Sequence, residues 1–161
     1  LRALLEARDI FWVITMSNAD PGGRSIQTLL DKFVRENGSR AKMFPSLGQL
    51  RYLSLLKHAD LMVGNSSSGI VEAPSFRLPV VNIGDRQGGR IRSGNIIDVP
   101  VCRKKDILKA IRKAIGDDFK RSLKGLKNPY GKGNASEKIV KALKTMDLSG
   151  IVKKQFHEMP R

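Results

Sequence analysis

The sequence is poor in several residue types, and each shortage excludes a class of protein. A single cysteine, Cys102, leaves no partner for an intrachain disulfide and no cysteine-based zinc site. Two histidines make no convincing set of metal ligands, so we expect neither a metal nor another cofactor. No apolar run approaches the ~20 residues that a transmembrane helix needs. Residues 1–10 alternate charge with leucine, unlike a signal peptide. These absences predict a cytoplasmic globular protein.

Negative charge is also scarce. The chain has 30 Lys and Arg residues against 15 Asp and Glu, a formal net charge of +15. The excess is uneven, because residues 1–102 carry 13 basic and 9 acidic residues while residues 103–161 carry 17 and 6. Such a surplus of positive charge attracts polyanions. Because the basic half is predicted to form amphipathic helices, we favour the interpretation that its basic residues form solvent-exposed helix faces. One Trp, two Tyr and six Phe offer few surfaces for stacking bases, which disfavours a nucleic-acid-binding module.

Short apolar segments alternate with amphipathic ones along the chain. We predict strands at residues 10–16, 42–45, 61–63, 79–83 and 95–99. We predict helices at residues 24–36 and 46–58, a short helix ending at residue 76, and a mainly helical region from 104 to about 148. Strands joined through helices form parallel sheets with right-handed crossovers. We therefore expect an α/β fold, a single Rossmann-like domain over residues 1–161 whose parallel sheet has helices on both faces.

Residues 64–72, GNSSSGIVE, join a predicted strand to a predicted helix. Backbone N–H groups at a helix start, together with serine hydroxyls, favour an anion such as phosphate. Glu72 follows in the helix, where a carboxylate can accept hydrogen bonds from vicinal hydroxyls such as those of a ribose. The segment matches neither a P-loop nor a G-x-G-x-x-G fingerprint. A serine N-cap followed by an ordinary glutamate is the alternative interpretation.

Two other loops follow predicted strands. Residues 84–94, GDRQGGRIRSG, hold three arginines and four glycines. Guanidinium groups bind phosphate oxygens in pairs, so this composition suits a diphosphate, with a solvated flexible loop as the alternative. Residues 17–23, SNADPGG, are typical of a turn and a helix cap, and we keep only Asn18 there as a candidate. Ligands of parallel α/β sheets bind at the carboxyl ends of the strands, where these loops fall.

The chain offers little for acid–base chemistry. It has no Ser-His-Asp order and no pair of carboxylates in an apolar setting. We therefore predict that this chain binds a nucleotide diphosphate and supplies no catalytic residue.

Three motifs in this order make the sequence similar to a known family. They are GNSSSGIVEAPSF at 64–76, PVVNIGDRQGGR at 79–90 and NPYGKGNASEKIV at 128–140. The sequence resembles the UDP-N-acetylglucosamine 2-epimerase family over nearly its whole length. The Asn-Ser-Ser-Ser-Gly and Gly-Asp-Arg-Gln forms resemble the hydrolysing branch, which makes N-acetylmannosamine for sialic acid synthesis. Lys132 departs from the family pattern, in which an acidic residue is usual at that position.

The resemblance implies a fold and a site. The family has two Rossmann-like domains that face each other across a cleft, the GT-B architecture, and this chain resembles the C-terminal domain alone. The residues expected to bind UDP are Asn18, Ser66, Ser67, Ser68, Gly69, Glu72 and Arg86. By the family pattern the serines and Arg86 contact the diphosphate, Glu72 contacts the ribose, and residues 44–47 border the uracil.

The resemblance also implies a reaction and partners. UDP-N-acetylglucosamine and water would give N-acetylmannosamine and UDP, through a glycal formed when a base removes the C2 proton and UDP leaves C1. The family's acid and base groups lie in its N-terminal half, so we expect this chain alone to bind UDP weakly and to turn over nothing. The full-length protein is expected to be a homo-oligomer that binds UDP and UDP-sugars and has no membrane partner.

Three alternatives stay open at this point. A GT-B glycosyltransferase also holds its nucleotide sugar with a Gly/Ser loop and an acidic residue. An epimerase of this kind could instead take a sugar with acetamido groups at both C2 and C4. In a different class, residues 103–161 could form a basic module that binds nucleic acid.

Overall fold

The computed structural model of the chain describes residues 1–16 and 23–153. The strands are β1 (Trp12–Thr15), β2 (Ala41–Phe44), β3 (Met62–Gly64), β4 (Val80–Ile83) and β5 (Ile96–Val99). The helices are α1 (Arg2–Glu6), α2 (Gly23–Glu36), α3 (Gly48–His58), α4 (Ser67–Val71), α5 (Lys104–Ile115), α6 (Asp117–Ser122) and α7 (Ala135–Thr145). A 3₁₀ turn, Ala73–Phe76, follows α4. The five predicted strands are confirmed, each within two residues of its expected bounds.

The helical region expected from residue 104 is interrupted twice. Gly116 ends α5 in an extended conformation, with φ −67° and ψ 143°. Asp117 and Asp118 then begin α6, where their charges suit the positive end of the helix dipole. Asn128 and Pro129 fall between α6 and α7, and proline does not continue a helix.

All strand pairs are parallel, as predicted. The hydrogen bonds divide the strands into two sheets, one with β1 beside β2 and one with the order β3-β4-β5. One apolar cluster joins the two sheets, because it contains Trp12 and Ala41 from the first and Val81 and Val99 from the second. We expected a single sheet. The structure instead has two sheets that side-chain packing joins into one layer.

Helices cover both faces of the β3-β4-β5 sheet. Neighbouring residues of a strand point to opposite faces, and in β4 Val81 packs with Ile111 of α5 while Val80 packs with Leu56 of α3. Val81 and Ile111 are almost wholly buried, and each such side chain contributes roughly 1.5–3 kcal/mol to folding. The expectation of a Rossmann-like layer with helices on both faces is thus confirmed.

The chain divides into two compact units, Leu1–Pro129 and Tyr130–Arg161. The first unit contains both sheets and every candidate loop that the structure describes. The second contains α7, whose last turn is followed by Met146 in an extended conformation. The expectation that residues 1–161 form one domain stays a prediction. Within the described ranges, no helix combines the length and the apolar character needed to cross a membrane.

Candidate functional site

Two of the candidate loops leave the same edge of the β3-β4-β5 sheet. Strands β3 and β4 are parallel, and Gly64, the last residue of β3, pairs with Asn82 of β4. The loop that begins at Asn65 and the loop that begins at Gly84 therefore start beside each other. This edge holds the carboxyl ends of the strands, which is where parallel sheets bind ligands.

The first loop is ordered by hydrogen bonds among its own serines. Ser66 is the N-cap of α4, and its Oγ accepts a hydrogen bond of 3.3 Å from the amide of Ser68. The amide of Gly69 donates to the carbonyl of Ser66 at 3.2 Å. The side chains of Ser66 and Ser67 are exposed at this helix start. Two amides are engaged inside the turn, and the exposed hydroxyls of Ser66 and Ser67 can act as donors to a ligand.

Gly69 lets α4 lie close against the sheet. A Cβ atom at this position would stand only 2.9 Å from Cγ1 of Val80, and Gly69 is buried. Any side chain here would push α4 away from β4 and displace the serine turn. The structure thus gives Gly69 a packing role, whereas its predicted contact with UDP stays a prediction.

Glu72 lies at the junction of α4 and the 3₁₀ turn. Its amide donates to the carbonyl of Ser68 at 2.9 Å, and its own carbonyl accepts from the amide of Ser75 at 3.0 Å. The side chain is half-buried. The backbone on both sides of Glu72 is therefore fixed, and the carboxylate starts from a defined position one turn after Ser68.

Tyr52 of α3 belongs to this site, although sequence reasoning missed it. Its hydroxyl donates a hydrogen bond of 2.6 Å to Oγ of Ser68. Burial raises the pKa of the Tyr52 hydroxyl, the hydrogen bond with Ser68 lowers it, and the nearby charge of Glu72 raises it. The only signal in the sequence was one tyrosine within the leucine-rich stretch of α3.

The second loop turns away from β4 at a glycine. Gly84 has φ 80°, a left-handed conformation that residues with a side chain rarely adopt. Arg86, the predicted diphosphate ligand, is exposed. Its neighbour Gln87 is buried, and the Nε2 of Gln87 donates to the carbonyl of Asn65 at 2.8 Å. The two loops are therefore bonded to each other.

Arg92 fixes the far side of the second loop. Its Nη1 donates to the carbonyls of Gln87 at 2.8 Å and Arg90 at 3.2 Å, and its Nε donates to Asp98 of β5 at 3.1 Å. Asp98 also accepts a hydrogen bond of 2.6 Å from the buried amide of Asn82. This loop is thus anchored to β4 and β5, and the alternative of a freely solvated loop does not fit it.

Asn128, the first residue of the third motif, is hydrogen-bonded to residues of the first motif. The side-chain amide of Asn128 donates to the carbonyl of Val71 at 2.8 Å and to Oγ of Ser75 at 2.7 Å. Val71 and Ser75 flank Glu72 in the chain. Asn128 therefore stabilises the junction from which the Glu72 side chain projects.

Helix α3 presents a second face to an open apolar depression of about 540 Å³. The depression lies beside the end of β2, and its lining residues are Val13, Phe44, Leu47, Leu50, Arg51, Ser54 and Leu55. Tyr52 and Leu56 lie on the buried face of the same helix. One helix therefore contributes both to the serine turn and to an apolar surface that includes part of the predicted uracil border at 44–47.

Two expectations stay predictions. Asn18 lies outside the described residues. Among the residues that the structure does describe, no group of three or more His, Cys, Asp or Glu side chains could hold a metal ion.

Comparison with known proteins decides the family. The family model described as UDP-N-acetylglucosamine 2-epimerase matches residues 1–144 of the chain. The chain belongs to this family. A GDP/UDP-N,N'-diacetylbacillosamine 2-epimerase (hydrolyzing) of Campylobacter jejuni is 42% identical over 160 residues, which is 99% of this chain and 41% of that protein. Polysialic acid biosynthesis protein P7 of Escherichia coli is 38% identical over 128 residues, 80% of this chain and 32% of that protein.

A solved 2-epimerase structure shows the same fold. The UDP-GlcNAc 2-epimerase of Methanocaldococcus jannaschii, in complex with UDP-GlcNAc and UDP, superposes with a TM-score of 0.69 at 22% identity. The match covers 89% of this chain and 39% of that chain. The Rossmann-like part of a GT-B fold is thereby confirmed. The chain spans about two-fifths of the length of these 2-epimerases.

Proposed function

We propose that this chain is the UDP-binding part of a hydrolysing 2-epimerase that acts on a UDP-N-acetylated sugar. The observation that carries the proposal is the hydrogen bond of 2.8 Å between Gln87 and Asn65. It joins a serine-rich turn and an arginine-bearing loop at neighbouring strand ends, in a chain of this family. Hydroxyl donors and a guanidinium group then face one ligand, and a diphosphate accepts hydrogen bonds from both.

The serine turn and Arg86 bind the two phosphates of UDP. Ser66 and Ser67 offer exposed hydroxyls at the start of α4. Ser68 contributes its own hydroxyl proton, because its Oγ already accepts from Tyr52. Arg86 supplies the positive charge, and Gly69 allows the close packing that holds the turn. Asn18 completes the predicted set.

The nucleoside extends from the phosphates towards α3. Glu72 accepts hydrogen bonds from the ribose hydroxyls, which a carboxylate fixed by its backbone on both sides is able to do. The apolar depression beside Phe44 and Leu47 receives the uracil ring. A flat ring with an apolar face gains from such a surface by leaving water.

The proposed reaction converts UDP-N-acetylglucosamine and water to N-acetylmannosamine and UDP. A base takes the C2 proton, the C1–O bond to UDP breaks with its electron pair going to the phosphate, and water adds to the glycal with inversion at C2. Negative charge grows on the β-phosphate as UDP leaves. The serine hydroxyls and Arg86 stabilise that charge, which lowers the barrier to departure.

The identity of the sugar is the finer part of the proposal. The Campylobacter jejuni relative is named for a diacetylated sugar, and the Escherichia coli relative is named for polysialic acid biosynthesis. We propose UDP-N-acetylglucosamine as the substrate, and a UDP-sugar with acetamido groups at C2 and C4 as the second candidate. Turnover of both by the whole protein, measured as UDP release, decides between them.

Calorimetry on the 161-residue chain tests the binding proposal. We expect UDP to bind more tightly than UMP, because only UDP presents both phosphates to Arg86 and the serines. Arg86→Ala should remove most of this difference, whereas Arg35→Ala, an exposed arginine of α2, should leave it unchanged. Equal affinity for UDP and UMP in the unaltered chain contradicts the proposal.

Other predictions concern the basic residues and the whole protein. If residues 103–161 bound nucleic acid, affinity for a random oligonucleotide would fall steeply with salt and would not respond to Glu72→Ala.

A cytoplasmic location suits the single, exposed Cys102, since free thiols persist in a reducing compartment. That location and a homo-oligomeric whole protein stay predictions.

A further inference from the structure

Gln87 is an exception among its neighbours in the second loop. Gln87 is 4% exposed, whereas its neighbours Asp85, Arg86 and Gly88 are all exposed. A polar side chain is buried at a cost unless its atoms find partners. The Nε2 of Gln87 has one, the carbonyl of Asn65, at 2.8 Å.

The side-chain oxygen of Gln87 indicates that this side chain is not buried for packing alone. Its Oε1 is buried with no hydrogen-bond partner among the described atoms. An apolar side chain of similar length would fill this space without burying an unpaired acceptor. The feature that glutamine adds is the N–H donor that reaches the first loop.

The backbone of Gln87 is fixed as well as its side chain. Its carbonyl accepts from Nη1 of Arg92 at 2.8 Å, and Arg92 is bonded through Asp98 to β5. Gln87 is therefore held on one side by the sheet and on the other side by Asn65. Arg86 precedes Gln87 directly, and Ser66 follows Asn65 directly.

We infer that Gln87 is a positioning residue that sets the place of Arg86 relative to Ser66. This inference rests on the proposed diphosphate site. Residues 84–94 contain four glycines, and ordering such a loop on binding would cost conformational entropy. The hydrogen bond from Gln87 orders the loop beforehand, so that a diphosphate meets the guanidinium group and the serine hydroxyls at their final spacing. Gln87 itself does not touch the ligand.

A double-mutant cycle on the 161-residue chain tests this inference. Gln87→Met keeps the length of the side chain and removes the donor, and we expect UDP affinity to fall about tenfold, the loss typical of one hydrogen bond. UMP affinity should change much less. In the background of Arg86→Ala, the further change Gln87→Met should cost little, because its effect passes through Arg86. The matched control is Gln27→Met on α2, whose amide donates to Asp31 and Met43.

The outcomes separate this inference from the proposed function. Unchanged UDP affinity in Gln87→Met, or full additivity of the two losses, overturns the role of Gln87 while leaving the UDP site in place. Failure of the unaltered chain to bind UDP overturns both.

Amide hydrogen exchange tests the role of Gln87 without a ligand. Amides of residues 85–93 should exchange faster in Gln87→Met than in the unaltered chain, and unchanged exchange contradicts the inference. If Gln87→Met does not fold, Gln87→Asn serves in its place, because its amide is one methylene too short to reach Asn65.

Discussion

The hydroxyl of Tyr52 donates a hydrogen bond of 2.6 Å to Oγ of Ser68, and this bond ties α3 to the serine turn. A hydroxyl oxygen that accepts a hydrogen bond directs its own proton elsewhere. If Ser68 belongs to the UDP site, as we propose, its own proton is then available to the ligand. Tyr52 acts on that site without needing to contact a ligand.

Replacing Tyr52 by phenylalanine removes this hydrogen bond and keeps the packing of the ring. We expect UDP affinity to fall by about 3- to 10-fold, the loss that one neutral hydrogen bond typically represents. Isothermal titration calorimetry measures the change. Tyr130→Phe is the matched control, because Tyr130 is the other tyrosine of the chain. Equal affinities for UDP in Tyr52→Phe and the unaltered chain would remove Tyr52 from the site.

The same substitution should alter stability at alkaline pH. Burial raises the pKa of Tyr52 above its ordinary value of 10.0, and the charge of Glu72 raises it further, against the lowering by Ser68. Above pH 10 the unfolded chain loses this proton while the folded chain retains it, so stability falls as pH rises through that window. Urea unfolding between about pH 9 and 11 should show a steeper loss for the unaltered chain than for Tyr52→Phe. Parallel pH curves would contradict this prediction.

Glu72 is predicted to hold the ribose of UDP. We expect Glu72→Ala to lower UDP affinity by about 1.5–3 kcal/mol if the carboxylate accepts from both hydroxyls. A UDP analogue that lacks the 2′- and 3′-hydroxyls should bind the variant and the unaltered chain equally. Glu36→Ala on α2 is the control, since this exposed glutamate pairs with Lys32 of the same helix. An equal loss with the analogue would show that Glu72 acts by another route.

Gly69 is predicted to be intolerant of a side chain. The Cβ of Gly69→Ala would meet Cγ1 of Val80 at 2.9 Å, and such overpacking typically costs about 1–3 kcal/mol of the free energy of unfolding. In contrast, the Cβ of Gly38→Ala would stand 3.7 Å from the carbonyl of Val34, an ordinary contact. Urea unfolding of both variants measures the difference. Equal stabilities would mean that α4 moves at little cost.

Local sequence pattern was sufficient to predict the strands and the two loops, because both depend on residues close together in the chain. The apolar run before Gly64 predicts β3, and the serines after it predict the N-cap of α4 that Ser66 provides. The partition of residues 104–148 was predicted less well, since single residues such as Gly116 decide where a helix ends.

Contacts between distant segments were not predictable from the pattern. Tyr52 meets Ser68 across 16 positions of the chain, and Gln87 meets Asn65 across 22. Both contacts depend on how helices and loops pack on the sheet, which single-sequence periodicity does not specify. The sequence alone therefore named candidate ligand contacts, which stay predictions, and missed Tyr52 and Gln87, which bond to the candidate loops.

The pairing of β3 with β4 has a consequence for the size of ligand that the proposed site would accept. Val63 pairs with Val81 and Gly64 with Asn82, and this register determines where the loops that carry Ser66 and Arg86 begin relative to each other. Sliding β4 by one residue would carry its loop about 3.3 Å along the sheet and turn Val80 and Val81 to the wrong faces. Since the apolar clusters on both faces oppose that slip, packing inside the sheet would also limit the spacing of the two phosphates in the proposed site.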